Sequence, residues 1–233
     1  MKTISILIPS RGNPKELLET IASCEDMAAQ SSRLEFIVRL DGDDPALSDY
    51  ITDVTPTVAW RRAVNKGDFV KWIVGEPFGY ARIHDYYEEM YRMSKGDLLL
   101  AFNDDMRIDT KFWDCIFEET LSRPFMVAGC QMDEGNGTNY AWAMPMVRRD
   151  LCEAIGRFCS GTETCDRIFE AYSKFPGRGA IAPVKMLHKW QPLKPGSERE
   201  RVYRHAQSNW GEMTQRWNRA AAEMERACHA LGG

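Results

Sequence analysis

A chain of 233 residues is long enough for one large domain and too short for two comfortable ones. Its composition, 44% hydrophobic and 27% charged, is globular and excludes a disordered chain. The net charge of -4 gives no global attraction to nucleic acid or an anionic membrane, leaving only local basic patches for such partners.

The seven cysteines are scattered, odd in number and form no CxxC pair, which fits reduced thiols better than a disulfide framework or a zinc site. The opening run from Met1 to Ile8 reaches Pro9 too soon for a signal peptide, and no stretch approaches the roughly 18 apolar residues of a membrane span. A soluble, cytoplasmic protein without membrane insertion is expected.

Ile4 to Ile8 is short, apolar and β-branched, the pattern of a buried strand. It stops at the turn Pro9-Ser10-Arg11-Gly12. A helix start follows, with Asn13 as cap, Pro14 at the first helical position and Glu16 at the capping-box position. Leu17, Leu18, Ile21, Cys24 and Met27 keep helical spacing. Leu34 to Leu40 reads as a second strand ending in Asp41-Gly42-Asp43-Asp44, and Phe69 to Val74 as a third. Tyr80 to Ser94 reads as a helix, and Leu98 to Phe102 as a strand apolar on both faces, hence central in a mostly parallel sheet. That strand ends in Asn103-Asp104-Asp105.

Alternating strands and helices predict an open α/β sheet, in which ligands bind beyond the carboxyl ends of the strands. Three strands deliver polar clusters to that edge: Ser10-Arg11, Asp41 to Asp44, and Asn103 to Asp105. Beyond them, Phe125 to Cys130 reads as a strand, Asp133 to Asn139 as a glycine-rich loop, Asp150 to Phe158 and Asp166 to Lys174 as helices, and Val184 to His188 as a late strand. Gln207 to Leu231 reads as a long amphipathic helix.

A carboxylate pair at a strand end supplies the hard oxygen ligands a divalent cation needs, and such a cation screens a diphosphate. A lone acidic pair would read as a β-turn, but the second acidic cluster at the same edge favours a site.

With these pieces in order, the chain resembles the GT-A glycosyltransferases, particularly the family 2-like group, and is similar to small phage-encoded members. The resemblance is carried by Ser5 to Arg11, Val38 to Asp44, Gly79-Tyr80-Ala81-Arg82-Ile83-His84 and Gly96 to Asp105, and spans roughly residues 3 to 190. It implies a GT-A-like domain over 1–194, with a nucleotide-binding half (1–105) and an acceptor half (106–194), and a helical extension over 195–233. Pro9, Ser10 and Arg11 would wall the nucleotide base, Asp41 would accept its hydrogen bond, and Arg82 would contact base or diphosphate. The chain departs from the family's Asp-x-Asp motif by carrying Asn103 at the first acid. Asp105 is then the first choice as ligand for Mn²⁺ or Mg²⁺ and Asp104 the second.

His188 either closes the metal shell or caps a strand edge. The acceptor's proton needs a base, and the family's acidic pair is missing from Thr162-Glu163-Thr164-Cys165-Asp166, so Asp166 or Glu163 would serve. Both acids also suit a helix N-terminus. Asp133 and Glu134 are placed to bond sugar hydroxyls or to sit solvated. Trp142, with Met144 and Met146, lines an acceptor pocket or the core. Arg199, Arg201, Arg204, Arg216 and Arg219 alternate with aromatics and glutamates, which reads as an amphipathic helix packed on the domain, with nucleic-acid binding or a homo-oligomer interface as the rivals. The implied activity is transfer of a sugar from a nucleoside-diphosphate donor to a glycan, a protein or a modified DNA base. Sugar-phosphate nucleotidyl transfer and a non-catalytic binding module are the alternatives.

Overall fold

The computed structural model describes residues 1–64, 70–133, 140–158, 165–189 and 195–232. Glu134 and Glu163 lie outside the described residues, as do Phe69 and Thr162. One eight-stranded sheet forms the centre, in the order β3-β2-β1-β4-β7-β6-β8-β5. Strands β1 (Ile4–Ser10), β2 (Leu34–Asp41), β3 (Lys71–Gly75) and β4 (Leu98–Ala101) are mutually parallel. Pro9 falls beyond Leu7, the last β1 residue paired with β4, so its missing N–H forfeits no ladder bond on that side.

The second half makes the sheet mixed. Strand β7 (Met146–Arg148) runs antiparallel between β4 and β6 (Val127–Asp133), and β8 (Gly179–His188) is parallel to β6. Strand β5 (Met106–Ile108) directly follows the acidic triplet and crosses to the far edge, antiparallel to β8. Its register sets Met106 opposite His188.

Alternation along the strands feeds two cores. Ile4, Ile6, Ile8, Phe36, Val38, Leu98 and Leu100 face one side, covered by α1 (Pro14–Met27), α3 (Thr55–Val64) and α5 (Trp113–Thr120). A short helical turn, α2 (Leu47–Asp49), and a wide turn over Tyr50–Val54 lead into α3. Leu7, Ile37, Leu99, Ala101, Val127 and Val147 face the other side, covered by α4 (Ile83–Met93), α6 (Arg149–Ile155) and α7 (Cys165–Tyr172). Gly96 precedes β4 against β1, where a Cβ would lie 2.5 Å from the Ser5 nitrogen, so no larger residue fits that turn.

The extension is helical: α8 (Glu198–Ser208), then α9 (Trp210–Ala230), broken at Asn209 rather than continuous from Gln207. Met213, Trp217, Ala221, Met224 and Cys228 form a buried stripe at spacings of four, four, three and four residues, and pack into the second core. At about 1.5–3 kcal/mol for each large apolar side chain buried, that stripe makes α9 an integral part of the domain. The apolar stripe is thereby used on this chain's own core. Arg216 and Arg219 point outward. Among the described residues no helix is long and apolar enough to cross a membrane.

Two expectations about local structure change. Asn13 makes no capping bond; its side chain donates to Asp104 instead, and Glu16 pairs with Lys189 at 3.1 Å. The helix expected from Tyr80 begins with a tight 3-10 turn, Tyr80–Arg82, before α4.

Candidate nucleotide and metal site

The carboxyl edge of β1, β2 and β4 gathers the three polar clusters, and the structure divides their labour. Asp44 is buried and pins the chain: its carboxylate accepts from the Gly12 N–H at 2.8 Å and the Ala46 N–H at 2.9 Å. Gly12 holds φ at 71°, a conformation that suits glycine. Asp41, also buried, faces the edge. One of its oxygens accepts from the Tyr86 hydroxyl at 2.8 Å and from Arg39 at 3.3 Å, the other from Arg11 at 2.9 Å. Arg11 also binds the exposed Asp43, so the guanidinium bridges two carboxylates, and its own pKa is raised by those bonds.

Arg39 is a buried brace. Its guanidinium packs against the rings of both Phe78 and Tyr86, 5.2 and 4.9 Å from their centroids, and donates to Glu89 and the Glu76 carbonyl. The Tyr86 hydroxyl also accepts from the N–H groups of Phe78 and Gly79 at 2.7 and 3.1 Å. Asp41 is therefore held by residues from β2, the β3–α4 loop and α4 together. Arg82 is exposed, paired with Asp85 at 2.6 Å and stacked over Phe78 at 4.6 Å.

The two aspartates of the triplet point in different directions. Asp104 turns back toward the first loop, where Ser10 and Asn13 donate to the same oxygen at 2.6 and 3.2 Å. A relay runs from the Asn13 N–H to the Tyr50 hydroxyl (2.9 Å), on to Ser10 (2.8 Å) and then to Asp104. Burial, with Asp105 adding repulsion, pushes the Asp104 carboxyl up to about 7 against the pull of Ser10 and Asn13. The Tyr50 phenol is raised to about 12 by burial. Thr20, from α1, lies 2.7 Å from the Asp104 carbonyl and fixes the triplet's backbone.

Asp105 faces β8. Its Oδ2 is 3.3 Å from His188 Nε2, and its Oδ1 is buried without a hydrogen-bond partner. Natural proteins leave few buried carboxylate oxygens unpaired, so such an atom asks for a proton, a water or a cation. A carboxylate next to an imidazole is a ligand pair that suits Mn²⁺ better than Mg²⁺, which prefers an all-oxygen shell. Among the described residues no third histidine, cysteine, aspartate or glutamate joins them as a cluster. Asn103 accepts from Tyr87 at 3.3 Å. Asp133 ends β6 exposed, with Leu187 as its register partner, one residue from His188.

Further along, Asp166 opens α7, half-buried, its carboxyl pushed up to about 6 by burial despite the neighbouring Arg167. Trp142 packs, part-buried, against the second core; Met144 and Met146 are buried in the first. Tyr86, Arg39 and Tyr50 are the site residues sequence reasoning missed. Only the i, i+3, i+4, i+7 spacing of Ile83, Tyr86, Tyr87 and Met90 hinted that the two tyrosines face the sheet.

No family model matches the chain, and no curated protein matches it in sequence. Solved structures do. The mannosyltransferase PcManGT of Pyrobaculum calidifontis, in complex with GDP-Man and Mn²⁺, aligns with a TM-score of 0.59 and 14% identity, over 100% of this chain and 76% of that one. S. aureus TarS 1-349 in complex with UDP aligns with a TM-score of 0.55 and 12% identity, over 79% of this chain and 60% of that one. The same protein in complex with UDP-GlcNAc gives 0.55 and 12%, over 84% and 61%. The chain thus has the fold of nucleotide-sugar-utilising glycosyltransferases, and it spans only about three fifths of TarS 1-349.

Proposed function

We propose that this protein is a Mn²⁺-dependent glycosyltransferase that moves a sugar from a nucleoside-diphosphate donor to an acceptor hydroxyl. The observation that carries the reading is Asp105, which keeps one buried oxygen unpaired and its other oxygen 3.3 Å from His188, at the same sheet edge as Asp41 and Arg11. Asp105 and His188 would hold the cation, and Asp104 would tune that site from behind. Mn²⁺ supplies charge to stabilise the departing diphosphate when bound. Asp41 accepts the nucleobase N–H, with Pro9 and Ser10 as neighbouring wall. Arg11 turns from Asp43 to the diphosphate, and Arg82 and Asn103 complete the nucleotide's contacts. Asp133 and Glu134 bond sugar hydroxyls.

Asp166 takes the acceptor's proton. A carboxyl raised to about 6 is a better base near neutral pH than an ordinary one, because its conjugate acid is stable enough to receive a proton. Glu163 is the alternative base. Ordered sequence pieces from Ser5 to Asp105 support a family 2-like, phage-like GT-A enzyme. A boundary near residue 194 would separate the transferase domain from its helical extension, with the nucleotide half ending at Asp105.

The test is a thermal-shift series with the diphosphates of guanosine, uridine, cytidine and thymidine, with and without Mn²⁺. At least one should stabilise the protein, and more so with Mn²⁺; stabilisation by none under either condition removes the reading. For that nucleotide, Tyr86→Phe should weaken binding about tenfold, since Asp41 loses a donor and two backbone N–H groups lose their acceptor. Calorimetric titration measures it, and an unchanged affinity would show that Asp41 does not need the brace.

A further inference from the structure

A second cluster of unusual side chains lies outside this site, where the extension meets α7. The Arg167 guanidinium is 4.0 Å from the Tyr140 ring centroid and 5.3 Å from that of Trp210. Glu170 accepts from Arg167 at 2.9 Å and from the Tyr140 hydroxyl at 3.1 Å. Trp210 stands edge-on to the buried Trp217, with centroids 5.2 Å apart and ring planes at 82°. It remains 49% exposed, although the rest of the apolar stripe of α9 is buried.

Topology orients this cluster toward the ligand edge. The far end of α7 abuts the start of β8, where a Cβ on Gly179 would lie 2.3 Å from that of Ser173. Strand β8 runs parallel to β6, so its start lies at the edge opposite the acidic clusters. The late turns of α9 are tied to that same far end by the Arg178–Glu225 pair at 2.7 Å and by Tyr172 against Cys228 at 3.3 Å. The first turns of α7 and α9, carrying Asp166, Arg167 and Trp210, therefore point back toward the carboxyl edge. Helix α8, between β8 and α9, packs on the Tyr80–Arg82 turn at that edge.

The chemistry selects the ligand. The charge of Arg167 is already matched by Glu170, and Asp166 adds a further acid, so the described residues of this cluster do not favour a phosphate-bearing ligand. A half-exposed indole beside carboxylates and a guanidinium suits a neutral molecule with one apolar C–H face and a rim of hydroxyls. We propose that Trp210, with Arg167 and Glu170, forms a saccharide-binding shelf that seats a glycan acceptor beside Asp166. This deepens, and rests on, the glycosyltransferase reading: it commits the acceptor to a carbohydrate and gives the C-terminal extension a part in recognising it.

The experiment uses saturation-transfer NMR on the full chain with maltotriose, cellotriose, mannotriose and chitotriose as probes, and a single-stranded DNA oligonucleotide as competitor. Trp210→Ala and Trp210→Phe are compared with the parent protein. At least one saccharide should receive saturation from the parent, lose it about tenfold in Trp210→Ala, and keep most of it in Trp210→Phe. The nucleotide-dependent thermal shift should be the same in all three proteins. Equal saccharide signal in Trp210→Ala, no signal from any saccharide, or displacement of the saccharide by DNA each overturns the shelf. A missing nucleotide shift overturns the donor reading instead, and the saccharide result is read independently of it.

Discussion

Asp105→Ala should abolish the Mn²⁺-dependent part of nucleotide stabilisation and lower turnover by roughly a thousandfold. The same change should leave the metal-free protein at least as stable as the parent. That combination is unusual, because truncating a buried charged residue ordinarily destabilises by leaving partners bereft. Among the described residues, one carboxylate oxygen has no partner to lose, and the other faces the His188 imidazole at 3.3 Å. Removing an unmatched buried acceptor relieves a desolvation penalty of about 1–3 kcal/mol. Differential scanning with and without Mn²⁺ separates the two effects, and release of nucleoside diphosphate follows turnover. If the variant is less stable without metal and responds normally to Mn²⁺, Asp105 is a structural residue and the cation site lies elsewhere. His188→Ala should show a weaker form of the same pattern, since an imidazole contributes one neutral ligand where the carboxylate contributes charge as well.

How much of this was legible in the sequence depended on whether the deciding contacts were local. The apolar run Leu98 to Phe102 and the β-branched run Ile4 to Ile8 advertise buried strands because each residue's neighbours along the chain share its environment. The acidic clusters at their ends follow directly, and so does the convergence of Arg11, Asp41 and the triplet on one edge. Helix α3 was missed for a physical reason. Tyr50, Val54, Val58 and Arg62 recur every four residues and are all buried, but the last is a charged residue that sequence pattern assigns to the surface. Arg62 is accommodated by Glu25 at 3.0 Å, the Ser31 carbonyl and the face of Phe36, none of them near it in sequence. Strand β5 has only three residues and pairs across the sheet with β8, so nothing local reveals it. Yet that pairing brings His188 to Asp105. In the same way, the different environments of Asp104 and Asp105 come from Ser10, Asn13 and Tyr50 on one side and β8 on the other. Two adjacent identical residues carry no sequence signal of such a division.

That division makes the stability of the metal-free protein depend on pH through Asp104. An aspartate titrates near 3.8 in the unfolded chain, whereas here burial beside Asp105 pushes the carboxyl up to about 7. Between those values the folded protein binds the proton more tightly than the unfolded chain does, so stability falls as pH rises through the window and levels off above it. From pH 5.5 to 7.5 the loss should be about 2 kcal/mol, and Asp104→Asn should remove it while keeping an acceptor for Ser10. Asp166 carries a raised pKa of its own, about 6, and contributes a slope of the same sign. The test is therefore the difference between parent and Asp104→Asn across the window, measured by denaturant unfolding. Mn²⁺, if held by Asp105 next door, would favour the ionised form of Asp104, so saturating metal should flatten the parent's slope and leave that of Asp104→Asn nearly unchanged. A parent slope indifferent to both the substitution and the metal would mean that Asp104 stays ionised throughout, with its bonds from Ser10 and Asn13 outweighing burial. Its role would then be confined to anchoring the first loop, and the cation would be bound without proton release from this residue.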